Sequence, residues 1–122
     1  DILQKFPVTG DGQWILRVTD NRSIELVMGR PGGGWFMTAP PAERNAWTHI
    51  AWTWDGRQGN FYVNGQWTNT FSPPQAVITE CSAPVEIGGF RNRKFKGKID
   101  DFRWYDRALS AQEVTTLAAG GH

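Results

Sequence analysis

A single cysteine, two histidines and an almost balanced charge leave this chain of 122 residues few routes to chemistry. Cys81 has no second cysteine with which to form an intrachain disulfide. It reads as a small buried hydrophobe, or, in a secreted chain, as a thiol that pairs with another chain. His49 and His122 are too few for a His/Cys zinc site at recognisable spacing, and nothing beside His49 reads as a nucleophile motif. Lys and Arg number 13 against 12 Asp and Glu, a net charge of +1. That balance argues against a polybasic nucleic-acid arm or an acidic tail, so nucleic acid is not an expected partner. No apolar run approaches the ~20 residues of a membrane-spanning helix, so no membrane insertion is expected. There is no leader pattern, and a start at Asp1 fits a mature form or a piece of a longer chain.

What the chain does have is punctuation and aromatic mass. Fourteen glycines and seven prolines break it often, which opposes long helices. Seven Trp, seven Phe and two Tyr are a strand-friendly load. Residues 13–18 alternate, with Trp14, Leu16 and Val18 on one face. Asp20-Asn21-Arg22 reads as a turn, and residues 23–28 alternate again. Pro31 and Gly32 to Gly34 break the chain before a short strand at residues 35–37, which Pro40-Pro41 is expected to end. The clearest strand is residues 47–55, WTHIAWTWD, with Ile50, Trp52 and Trp54 on one face. Asp55-Gly56 starts a turn. Asn64-Gly65 is the strongest hairpin signal, joining residues 60–63 to residues 66–71, where Trp67, Asn69 and Phe71 share a face by alternation. Residues 84–88 read as a short strand and residues 97–105 as a long one, with a bulge between Ile99 and Phe102. Ser110-x-x-Glu113 is a capping box opening one short helical turn. Seven or so short strands with one terminal helical turn predict an all-β fold, an antiparallel β-sandwich.

The segment WTHIAWTWDG-x-x-x-x-FYVNG, from Trp47 to Gly65, resembles the central hairpin of laminin-G-like domains of the concanavalin A-like lectin/glucanase superfamily. GKIDDFRWYDRALSAQEV, Gly97 to Val114, resembles their last strand and following turn, and VEIGGF, Val85 to Phe90, the strand before it. Three motifs in order imply a concanavalin A-like jelly roll forming one domain over residues 1–122. They also imply an extracellular or cell-surface setting. Members of the family usually open with two further strands, one beside the last strand, and residues 1–10 do not match them. The resemblance thus implies exposed strand edges, and with them a homodimer or a strand supplied by another chain.

Glycoside hydrolysis needs two carboxylates ~5–5.5 Å or ~6.5–9.5 Å apart across the scissile bond. Glucanases of the superfamily carry them as E-x-D-x-x-E or E-x-D-x-E on one strand, and this chain has no such pattern. Glu80 and Glu86 are six apart with Pro84 between them, and Asp100 and Asp101 are adjacent. No enzymatic activity is expected. The bland reading of Asp100, Asp101 and Asp106 is ion pairing with Arg103 or Arg107, or backbone hydrogen bonding. Relatives often hold calcium, which takes six to eight oxygen ligands, so Asp100 and Asp101 are the candidate metal residues.

Sugar recognition stacks a C–H face on an exposed ring and reads hydroxyls with amides and guanidinium groups. The candidate rings are Trp35, after the glycine-rich stretch, and Trp67, after the Asn-Gly turn. Arg57, Asn64 and Asn69 are the candidate polar partners, with Gln58 and Asn60 nearby. Trp14, Trp52 and Trp104 read as core, and Trp54 as packing. Residues 91–94 read as a solvated basic loop or as a contact for an anionic sugar or protein. Two functions follow: a non-catalytic domain binding a glycan, or an adhesion and assembly module that holds another protein without sugar.

Overall fold

The computed structural model describes residues 2–5, 14–30, 33–72, 85–90 and 93–120. Cys81, Arg91 and Asn92 lie outside them. The strands are β1 (Leu3–Lys5), β2 (Trp14–Val18), β3 (Ser23–Arg30), β4 (Gly33–Pro41), β5 (Ile50–Trp54), β6 (Gly59–Val63), β7 (Gln66–Phe71), β8 (Val85–Ile87), β9 (Gly89–Phe90) and β10 (Arg93–Lys94), followed by helix α1 (Ala111–Ala118). Among the described residues they form a five-stranded antiparallel sheet in the order β4-β3-β2-β1-β8, a three-stranded sheet β5-β6-β7 and a short β9-β10 ribbon. The sandwich expected from the alternation is the fold observed.

Side-chain chemistry sets each turn. Between β2 and β3, Thr19 N–H donates to Ser23 O at 2.9 Å and Arg22 takes φ +70°. Asp55 Oδ1 accepts from the Arg57 and Gln58 N–H groups at 2.8 and 2.7 Å, closing the β5–β6 turn. These bonds hold the Asp55 carboxyl below its usual pKa. Asn64 and Gly65 take φ of +52° and +80°, the paired positive values of a tight two-residue hairpin. Glycine is needed at 65 twice over, because a Cβ there would come within 2.9 Å of Ala118 Cβ on α1. Asn64 also ties down the approach to β5: its Oδ1 accepts from His49 N–H at 2.9 Å, and its own N–H donates to His49 O at 2.8 Å.

The two larger sheets meet over Trp14, Ile24, Leu26, Ala39, Phe61 and Phe71, with Leu16, Ile50, Trp52, Trp54 and Val63 packed around them. Phe61 is fully buried. The facing rings tilt rather than overlap, Trp14–Trp52 at 6.2 Å and Trp54–Phe71 at 6.4 Å between centroids, as their quadrupoles favour. Asn69 Nδ2 donates to Thr38 O at 3.2 Å, crossing from β7 to β4.

Within residues 1–10, where the sequence predicts no opening strand, Leu3–Lys5 form β1, paired with both β2 and β8. Three further expectations change. Strand β4 runs through Pro40 and Pro41 instead of stopping before them. Among the described residues it is an edge strand, where a missing N–H that faces away from β3 costs no ladder bond. Pro40 also falls at a register shift, with Ala39 opposite Ile24 and Pro41 opposite Ser23. Second, residues 97–105 form no strand. Asp101 takes φ +53° and gives its N–H to Asp100 Oδ1 at 2.8 Å, a local bond that competes with a ladder. Third, Trp104 is 62% exposed, not core. Its ring stacks at 5.7 Å on Trp14, itself only 5% exposed, and covers the core from outside.

Helix α1 begins as the capping box requires. Ser110 Oγ accepts from Glu113 N–H at 3.1 Å, and Glu113 Oε1 accepts from Ser110 N–H at 3.0 Å. Arg107 adds two bonds to the same carboxylate at 2.9 and 2.5 Å. Val114 is the helix's buried anchor, and Thr115 Oγ1 lies 3.1 Å from Gly65 O, docking α1 on the β6–β7 turn.

Two outcomes follow. Phe61→Ala removes a ring with no exposed surface and should cost about 3–5 kcal/mol in denaturant unfolding; a loss under about 1 kcal/mol would contradict the core described. The Arg107 hydrogen bonds, aided by Ser110 N–H, pull the Glu113 pKa from 4.5 to about 2. The folded value lies below the unfolded one, so this contribution is fully present above pH 4.5 and fades as pH falls through about 2. A carboxyl NMR titration should place the Glu113 midpoint near 2 and return it toward 4.5 in Arg107→Gln; a native midpoint already near 4.5 would show the clamp is not formed.

Candidate functional site

The outer face of the three-stranded sheet is shaped by one irregularity. Phe61 lies opposite Asn69 but Tyr62 lies opposite Trp67, so Thr68 is an extra residue with no partner. Its hydroxyl donates to Phe61 O at 2.9 Å, holding the bulge in place. The slip breaks the period of two. Asn69 and Phe71 keep the inner face with Phe61, while Trp67 is carried to the opposite, outer face beside Tyr62, which is itself buried. The alternation had placed Trp67, Asn69 and Phe71 together; the bulge separates the first from the others.

Trp67 is 59% exposed, yet it is held. Its Nε1–H donates to Thr70 Oγ1 at 2.9 Å, and Thr70 Oγ1 donates to Asn60 Oδ1 at 2.7 Å. The indole is thus tethered at its polar edge and open on its apolar surface. Such an arrangement presents a ring for stacking without the ordering cost of an untethered side chain.

The other candidate residues are dispersed. Arg57 sits exposed in the β5–β6 turn and Asn64 in the β6–β7 turn, at opposite ends of β6. Five strand residues separate those ends by roughly 17 Å. The Asn64 side-chain oxygen serves the hairpin, and the Asn69 amide serves the contact between sheets. The backbone of Trp35 lies in β4 opposite Met28; its side chain falls outside the described part of the structure. Asp100 and Asp101 are exposed, with Asp101 Oδ1 3.7 Å from the Arg103 guanidinium. Among the described residues, no three of His, Cys, Asp and Glu gather as a metal-binding group. Two carboxylates fall short of calcium's six to eight oxygens, so they would need donors from elsewhere.

Sequence reading missed the Trp67–Thr70–Asn60 relay because Trp67 and Thr70 are three apart, a spacing that joins side chains on a strand only across a bulge. It also gave no weight to Trp47, which is strongly exposed ahead of β5. Ile99, Phe102, Trp104 and Tyr105 form a further exposed apolar run. His49 Nδ1 is buried without a hydrogen-bond partner among the described residues. Burial, then the nearby Arg103 charge, lowers its pKa. Among the described residues, no helix is long and apolar enough to cross a membrane.

No curated protein sequence matches the chain. Among solved structures it is similar to residues 221–444 of an S-layer domain-containing protein from Clostridium thermocellum, at 30% identity and a TM-score of 0.53. That alignment covers 93% of this chain and 59% of the other, so the chain spans under two thirds of that relative's length. Residues 2–115 match a laminin G domain model described as concanavalin A-like lectin/glucanases superfamily. With two antiparallel sheets packed over an aromatic core and one short helix after them, the chain belongs to the concanavalin A-like lectin/glucanase superfamily as a laminin G-type domain.

Proposed function

We propose that this domain is a non-catalytic recognition module that binds carbohydrate, acting outside the cell or at its surface. The observation that carries the reading is the Trp67 ring, pinned by Thr70 and Asn60 on the outer face of the three-stranded sheet while most of its surface stays in solvent. A pyranose ring stacks its C–H face on such an indole, and neighbouring amides and hydroxyls read its edge. Laminin G-type domains of lectin kind typically recognise without converting, which supports a binding role. The similarity to an S-layer domain-containing protein supports a surface setting.

A second reading rests on a different surface. Ile99, Phe102, Trp104 and Tyr105 expose apolar area on a stretch that joins no sheet. Exposed apolar side chains close together along the chain also suit a protein partner, including a second copy. The adhesion reading expects concentration-dependent sedimentation that Trp104→Ser abolishes.

The first reading is tested by Trp67→Ala. Losing the stacking ring should weaken binding to a glycan array or polysaccharide gel about ten-fold or more, with thermal stability kept within about 0.5 kcal/mol because the ring is exposed. Absence of glycan binding by the unaltered domain, together with an oligomer that Trp104→Ser dissociates, would reject the sugar reading in favour of the adhesion one.

A further inference from the structure

The chemistry around Trp67 also indicates the class of glycan, an inference that rests on the carbohydrate reading above. An indole N–H can only donate. Thr70 Oγ1 therefore accepts from Trp67, and its own proton goes to Asn60 Oδ1 at 2.7 Å. In that bond the Asn60 amide places its oxygen toward Thr70 and its Nδ2 group away from it. Among the described residues, Nδ2 has no hydrogen-bond partner, and Asn60 is only half-buried. The relay thus ends in two donors without a partner among the described residues, on the face that carries the Trp67 ring.

The same strands carry almost no charge. Residues 50–72 contain one acid, Asp55, and one base, Arg57. Both sit in the β5–β6 turn with opposite signs, and the Asp55 carboxylate is taken by backbone N–H groups. A sulfated or uronic glycan requires cations to offset the desolvation of its anions, and β5, β6 and β7 supply none from their own residues. Hydroxyl oxygens, by contrast, match amide donors without charge.

We propose that the Trp67 face takes a neutral glycan and that Asn60 is the residue that reads its hydroxyl oxygens. Cellohexaose, mannohexaose and chitohexaose serve as neutral probes, heparin and polygalacturonate as anionic ones, each measured by calorimetry at low and high salt. At least one neutral probe should bind with an affinity that salt barely changes, since salt screens exposed charges. Asn60→Asp keeps the acceptor for Thr70 but loses the donors, and should weaken that binding about ten-fold. Asn60→Ser stays uncharged, keeps an acceptor and lacks the amide, and should lose a comparable factor, which separates donor loss from added charge. Salt-sensitive binding to the anionic probes alone would overturn the neutral class while leaving carbohydrate recognition standing. Full affinity in both Asn60 variants would overturn the role of Asn60. Failure of every probe, with Trp67→Ala also silent, would overturn the carbohydrate reading itself.

Discussion

One extra residue in a strand governs the surface of this domain. Thr68 has no partner across the β6–β7 ladder, and its hydroxyl is bonded to the Phe61 carbonyl. The consequence is a division of labour along six residues. Beyond the bulge, Asn69 and Phe71 face inward, one bridging to β4 and the other closing the aromatic core. Before it, Trp67 faces outward and leans back on Thr70. Without the slip, the largest side chain of β7 would be directed into a core already filled by Phe61, Phe71, Trp14 and Trp52. A bulge is a common way to re-aim one side chain beside a functional surface, and here it converts a core-forming strand into one that also offers a platform.

The platform depends on the core beneath it. The sheets are held by tilted rings and by aliphatic side chains from β3. Turns closed by their own side chains, Asp55 and Asn64 above all, need little help from the rest of the chain. The helix adds a brace: the Ser110–Glu113 box with Arg107 fixes its start, and its contact at Gly65 presses on the hairpin that leads into β7. The register of β7 is thus constrained at the turn, at the bulge and at the sheet-to-sheet bond of Asn69.

Much of this was legible in the sequence, for local reasons. Asn64-Gly65 and Asp55-Gly56 encode their turns in the backbone freedom and side-chain acceptors of those residues. Ser110 and Glu113 encode a helix start. Ile50, Trp52 and Trp54 encode a buried face by period. What the sequence did not disclose was non-local. Residues 66–71 alternate without a flaw, and nothing in them marks Thr68 as the extra residue; only pairing against Phe61 and Tyr62 does. Residues 97–105 have the composition of a strand, but the positive φ at Asp101 and the bond from its N–H to Asp100 take the backbone out of a ladder. Pro40 and Pro41 read as a stop because their place at a sheet edge is a property of the topology. The candidate site was half legible for the same reason: the exposed ring was identified, whereas its partners Thr70 and Asn60 are brought to it by the bulge and by cross-strand pairing.

The outward platform exists only if Trp67 lies on the outer face of β7, and proton–proton NOEs in solution report that face directly. The indole protons of Trp67 should show contacts to the side chains of Thr70 and Asn60, with the Nε1 proton shifted by a hydrogen bond, and no contact to Phe71 or Ala39. Contacts from that indole to Phe71 and Ala39, the pattern of an unbroken alternation, would contradict the bulged register and with it the outward platform.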